Sequence, residues 1–146
     1  MAGRWIVIAT WATLGLFALV AIPNAVGLHV LWWPVTAVSL TLFLASLPVW
    51  IYAFGLAIVR STRGDDIVVS SWVFLTGSAP KDVRTQFMRA IAVSVVLGIG
   101  TVWANPFGVL VPMLTLGLSA LWGARHGVFP PRATAKPVRA NRGGRA

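Results

Sequence analysis

The sequence predicts an all-α integral membrane protein with four transmembrane helices, paired as two antiparallel helical hairpins, both termini cytoplasmic and a disordered basic C-terminal tail. Three observations predict it. First, 58% of the 146 residues are hydrophobic and 10% are charged, with a mean hydropathy of +0.82. A soluble domain carries about 45–50% apolar and about 25% charged residues, so this chain has too little polar surface to cover a water-facing sphere. Second, four uncharged or nearly uncharged apolar runs approach the roughly 20 residues needed to cross a hydrocarbon core of about 30 Å. Third, all 12 Lys and Arg fall in three segments outside those runs or close to their ends, and four spans put all three segments on one side. The composition also excludes several classes. Hydrophobicity this high is incompatible with a disordered chain. The lack of cysteine excludes a disulfide scaffold, zinc-cysteine sites and iron-sulfur clusters.

The first span is placed at residues 5–22, WIVIATWATLGLFALVAI, stopping at Pro23. A cleaved signal peptide is the rival reading. Its apolar core would be 18 residues, longer than the usual 7–15, and Pro23-Asn24-Ala25 is a poor cleavage site, so the segment is expected to remain as a helix. Leu28 to Val59 is a 32-residue uncharged run interrupted by Pro34 and Pro48. The second span is placed at residues 35–59, with Leu28 to Trp33 as an interfacial lead-in because a Trp pair favours the headgroup level, and with a kink at Pro48. The third span covers residues 87–104 and ends at the turn signal Asn105-Pro106. The fourth, residues 107–123, follows directly, so spans three and four form a tight hairpin. Residues 1–124 thus make the membrane domain and residues 125–146 the tail.

The cytoplasmic loop, residues 60–86, contains one feature a simple linker does not need. Ile67 to Leu75 reads IVVSSWVFL, too short to span as a helix and too apolar for water. It is expected to lie at the interface, to fold back under the bundle as a short strand, or to bind a partner, with Ile67, Val69, Trp72 and Phe74 as the candidate positions. Further on, Ser78 reads as an N-cap with Pro80 in the first turn and Asp82 suited to the helix dipole. The third helix is therefore expected to start near Ala79, before the membrane. Asp65 and Asp66 are adjacent carboxylates in a Gly-flanked turn, and a solvated turn is the simpler account of them.

The charge of +9 divides as +1 before the first span, +2 in the loop and +6 in the tail, and the positive-inside rule makes that side the cytoplasm. Lys81, Arg84, Arg89, Arg125, Arg132, Lys136, Arg139, Arg142 and Arg145 are candidate contacts for anionic lipid headgroups. Nucleic acid is a weaker match for the tail, which lacks interleaved aromatics.

Between helices in lipid, association rests on small residues and hydrogen bonds. Ala90, Ser94 and Gly98 form the clearest packing stripe. Similar spacing recurs at Ala37, Thr41 and Ala45, then Ala53 and Ala57, of the second span, at Ala12, Gly15 and Ala18 of the first, and as Ser119 with Gly123 and Ala120 with Ala124 in the fourth. Most of the eight Trp sit near span ends as an aromatic belt, while Trp11 and Trp50 fall deeper, where their indole N–H groups need partners.

Chemistry is scarce. The spans hold no Asp, Glu, Lys or His, and only Arg89 lies just inside a boundary. There is no Glu in the chain, neither His29 nor His126 has a second ligand at metal spacing, and no nucleophile elbow, Walker loop or GxGxxG pattern occurs. No cofactor, metal or catalytic residue is expected. The size and span count resemble small multidrug transporters and fluoride channels, and the basic tail resembles that of phage holins, without the residue motifs of the first two. Ten Arg to two Lys, with abundant Ala, Val and Gly, resembles membrane proteins of high-GC bacteria. The expectation is a non-enzymatic multi-pass protein of the bacterial plasma membrane, an accessory or scaffold subunit that meets a membrane-protein partner or a second copy. The alternative is a self-assembling pore or facilitator for a small neutral solute, holin-like or channel-like, lined by Thr36, Ser39, Thr41, Ser94 and Thr101.

Overall fold

A computed structural model describes residues 3–133. It is all-helical, with 76% helix and, among the described residues, no strand. The helices are α1 (Arg4–Ala25), α2 (Trp32–Thr62), the single turn α3 (Val69–Trp72), α4 (Lys81–Gly100) and α5 (Pro112–His126). Short 3-10 turns at His29–Leu31 and Pro106–Leu110 lead into α2 and α5. Four segments are long and apolar enough to cross a membrane: α1, α2 with its lead-in, α4, and α5 with its lead-in.

The expected boundaries shift where proline was read as a stop. The first helix does not end at Pro23 but continues to Ala25, because a proline in the last turn removes one backbone bond without blocking the residues behind it. The Pro23 carbonyl is used by the following turn, accepting from Leu28 N at 3.0 Å. Likewise α2 begins at Trp32, not at residue 35, since Pro34 stands in the first turn, where a backbone N–H has no helical partner. The helix then runs as one element through Pro48 for 31 residues, about 46 Å at 1.5 Å per residue. The start of α4 also differs. Pro80 is the N-cap residue with no side-chain cap bond, and the first helical residue is Lys81. Ser78 is buried, and its hydroxyl donates to the Ser71 carbonyl instead of capping the helix.

At the other end of α4, the helix stops at Gly100, short of the expected 104, and Asn105 organises the turn into α5. Its Oδ1 accepts from Phe107 N at 3.0 Å, while its Nδ2 donates to Thr36 Oγ1 at 2.7 Å and to the Trp32 carbonyl at 3.3 Å. One buried amide therefore ties the α4–α5 connection to the first turn of α2.

Three of the long helices bury one stripe each. On α1 it is Ile6, Thr10, Leu14, Phe17, Ala21 and Asn24, on α2 Val35, Ser39, Leu42, Ser46, Ala53 and Ala57, and on α4 Val83, Phe87, Ala90, Ser94 and Gly98. Steps of three and four keep each stripe on one helix face. The fifth helix is different: every residue from Gly117 to Ala124 is buried. α5 packs against α1, α2, α3 and α4, so it is the axis of the bundle.

Candidate functional site

The apolar segment after α2 is built into the bundle. It folds back not as a short strand but as the helical turn α3 and the residues behind it, which bond to α5 and not to a neighbouring strand: the indole of Trp72 donates to the Ala120 carbonyl at 2.9 Å. Ser119 Oγ donates to the Val73 carbonyl at 2.6 Å. Both bonds are buried, and the approach is close enough that a Cβ on Gly123 would overlap the Trp72 carbonyl oxygen. Leu75, wholly buried, sits at φ 55°, and Gly77 follows at φ 76°. A leucine in the left-handed region is strained, and here its burial in the core fixes the reversal that sends the chain on to α4.

The four candidate positions of this segment are thereby divided. Trp72 is inside, edge-on to Trp50 at 6.1 Å between ring centroids. Ile67 is half-buried, whereas Val69 and Phe74 remain exposed. Phe54, Ala57 and Ile58 of α2 face Ile67, Val69 and Trp72 across an apolar cleft of about 210 Å³.

A second constellation centres on Arg60, in the last turn of α2. Its Nε bonds Asp65 Oδ2 at 2.8 Å, and its Nη1 donates to the carbonyls of Ala124 at 3.2 Å and Gly127 at 2.8 Å. The guanidinium carbon also lies 4.8 Å from the centre of the Phe129 ring. A cation is thus placed on the carbonyl end of α5, where both the free carbonyls and the helix dipole favour it. The chain beyond α5 is fastened to the same place. Val128 N donates to the Ser78 carbonyl at 2.8 Å, Asp66 N to Pro130 O at 2.8 Å, and Arg132 N to Gly64 O at 2.7 Å. The tail expected to be disordered from residue 125 is therefore ordered at its start: Arg125 and His126 complete α5, and residues 127–132 are docked. Composition misjudged this stretch because its partners are backbone groups of the loop, which no count of apolar residues registers. Lys136, Arg139, Arg142 and Arg145, with the rest of the expected disordered tail, lie outside the described residues.

Compared with protein-family models, curated proteins and solved structures, the chain matches none.

Lys81, Arg84 and Arg89 lie on the outer side of α4, all exposed, with Arg125 and Arg132 exposed elsewhere. Arg132 donates through Nη2 to Ser61 Oγ at 2.8 Å. The stripe Ala90, Ser94 and Gly98 is buried, and Gly98 approaches the turn before α5 so closely that a Cβ there would stand 2.9 Å from the Gly108 carbonyl oxygen. The stripes of the first two helices face outward over most of their length, with Ala18 half-buried and Ala53 and Ala57 buried. Ala12, Gly15, Ala37, Thr41 and Ala45 are exposed, and nothing lies within 4 Å of a Cβ placed on Gly15. The hydroxyls considered as a pore lining are mostly engaged: Thr36, Ser94 and Thr101 donate to carbonyls of their own helices at 2.7–2.9 Å. Ser39 is buried without a partner, and Thr41 lies on the outer surface beside Leu16.

Both deep tryptophans have acceptors, Trp11 on Gln86 Oε1 at 3.1 Å and Trp50 on the Met113 carbonyl at 2.9 Å. Among the described residues no group of three or more His, Cys, Asp or Glu stands together. The sequence marks Arg60 only as a charge, Asn105 only as part of a turn signal and Ser119 only as a small packing residue paired with Gly123. For Ser119 a signal existed, since Gly117, Ser119, Ala120, Gly123 and Ala124 crowd five small residues into eight positions. That density is what a helix approached from all sides requires.

Proposed function

We propose that this chain is a non-enzymatic, multi-pass protein of the bacterial plasma membrane that serves as an accessory or scaffold subunit, with both termini and the 60–80 segment cytoplasmic. The observation that carries the reading is an apolar segment anchored from within and left uncovered outside. Trp72 and Ser119 lock it to α5, yet Val68, Val69 and Phe74 keep 52%, 62% and 43% of their surface exposed. A segment that only closed the end of the bundle needs its inward residues apolar, not these. Fixed apolar side chains beside a cleft are pre-organised for a partner helix, which lowers the ordering cost of binding. The sidedness draws support from the positive-inside rule and from contacts that gather the charged segments: Gly3 lies against Trp122 and His126, and Arg60 reaches Gly127. The pore reading draws less support, because hydroxyls bonded to their own helices are not free to line a path.

The test is photo-crosslinking in intact membranes, with the probe at Val69 or Phe74 and, as control, at exposed Val30 in the 3-10 turn before α2, at the opposite end of that helix. A discrete crosslinked membrane protein from the first two sites alone is expected, with recovery lost in Val69→Asp/Phe74→Asp. A lone monomer from every site overturns the scaffold role. Reporter fusions at Gly77 and Ala146 check the orientation, and an extracellular signal from either overturns it.

A further inference from the structure

We propose that the outer face of α4 is a binding site for one anionic phospholipid, with its phosphate held by Lys81, Arg84 and Arg89 and an acyl chain laid along Met88 and Ala92. These residues, with Thr85, follow the three- and four-residue steps of a single helix face and together line a concavity of about 560 Å³. The three cations are exposed, and among the described residues the one ion pair is Arg60 with Asp65, so none of the three is neutralised by a carboxylate. Asp82, the acid nearest in sequence, stands about 100° around the helix from Lys81 and about 10 Å along the axis from Arg89, and it pairs with neither.

The pattern along the helix selects a lipid over a soluble anion. The face carries its cations over about the first two and a half turns, through Arg89 with Met88 beside it, is apolar from Ala92, and the exposed surface continues with Val95, Val96 and Ile99. Charge above and hydrocarbon below match the two parts of a phospholipid. Depth supplies a second argument. Arg89 lies eight residues beyond Lys81, about 12 Å along the axis, and two residues inside the expected start of the span at residue 87, where the hydrocarbon begins. An arginine at that level without an acid partner must lift its guanidinium toward the surface or draw a phosphate down to it. Arg84, five residues earlier and about 140° around the helix, borders the concavity on its other side, so two planar guanidiniums can close on one phosphate from either flank, each in the bidentate manner that lysine cannot reproduce.

The site rests on α4 spanning a membrane and not on the scaffold role. Failure of crosslinking at Val69 leaves it standing, and loss of lipid binding leaves the partner surface standing.

The experiment is titration of the full-length protein in mild detergent with phosphatidylglycerol, phosphatidylcholine or soluble glycerol phosphate, reading bound lipid by native mass spectrometry. One phosphatidylglycerol per chain is expected to bind on the order of tenfold or more tighter than phosphatidylcholine. Arg84→Gln/Arg89→Gln should erase that preference, while Arg4→Gln/Arg63→Gln, with the same charge loss elsewhere, keeps it. Thermal melting of each variant verifies folding, and Arg84→Lys/Arg89→Lys, which keeps the charge but loses the bidentate fork, should fall between. Equal binding of the two lipids overturns the proposal. So does an equal loss in the two charge-matched variants, or displacement of the lipid by micromolar glycerol phosphate.

Discussion

α1 and α5 invert the rule by which soluble proteins are read. α1 is the more apolar of the two, yet only 28% of its apolar stretch is buried within the protein, against 67% for the stretch ending in α5. In water the more hydrophobic helix goes inside. In a bilayer the lipid tails are as apolar as a leucine side chain, so burying leucine against protein gains little, and the inside goes to whichever helix admits close backbone contact. α5 offers Thr115, Gly117, Ser119, Ala120, Gly123 and Ala124, all buried. α1 turns Trp5, Ile8, Leu16, Leu19 and Ile22 outward, each close to half exposed or more. Hydrophobicity locates the spans, and the crowding of small and hydroxylic residues at 117–124 marks where the other helices meet α5.

The comparison is broken most directly by giving α5 the bulk that α1 carries. Gly123→Leu puts a side chain where the Trp72 carbonyl already lies, with Leu75 behind it. Backbone cannot yield as a flexible side chain does, so the cost is expected to reach about 3 kcal/mol or more. The 67–78 segment should come off α5 with it. Thermal melting in detergent measures the first effect, and new protease cleavage between residues 67 and 78 the second. A variant that melts normally and resists cleavage would show that the segment is not docked on α5. Gly98→Leu applies the same reasoning at the α4–α5 turn, where the Gly108 carbonyl is 2.9 Å from the added Cβ. About 2 kcal/mol is expected, because a 3-10 turn can shift more than a helix axis.

Much of this architecture is legible in the sequence, for identifiable reasons. Span number and approximate position follow from run length, because the bilayer imposes one length on every helix. Trp11 and Trp50 were readable as needing acceptors because an indole N–H in an apolar setting is costly to leave unpaired. Helix ends were misread at Pro23, Pro34 and Pro80, since a proline near a terminus is compatible with either side of the boundary. The central place of α5 was missed because stripe counting treats each helix alone, whereas burial depends on how many neighbours a helix meets. The contacts of Arg60 escaped notice for a related reason: Asp65 is five residues on, off helical register, and its carbonyl partners at Ala124 and Gly127 are 64 and 67 residues away. Long-range pairs between a side chain and backbone leave no local pattern.

A smaller effect tests the polar side of the same idea, that the interior of this bundle is fixed by hydrogen bonds as much as by contact. Asn105→Ala removes the donor to Thr36 and the Trp32 carbonyl and the acceptor for Phe107 N. The Thr36 hydroxyl keeps its bond to Trp32 O at 2.9 Å, so the main loss is at Phe107 N. A destabilisation of about 1–2 kcal/mol is expected, again by melting. An unchanged Tm would mean that water enters this end of the bundle and replaces the amide.

The smallest expected effect is the most discriminating, because Gly15 and Gly98 are alike in sequence and opposite in placement. Each is a glycine within a small-residue stripe of a long apolar helix, and neither reading by spacing separates them. Gly98 is buried against Gly108, whereas a Cβ at Gly15 meets nothing within 4 Å. Gly15→Leu should therefore leave the monomer as stable as before or raise its stability by up to about 1 kcal/mol, since glycine is a poor helix former. The melt should not depend on protein concentration. If Gly15→Leu instead destabilises, and does so only at concentrations where the native chain self-associates, the outward stripe of α1 is an interface between copies. Hydroxyl and glycine spacing would then have marked two contact surfaces, of which Ala90, Ser94 and Gly98 form the one inside a single chain.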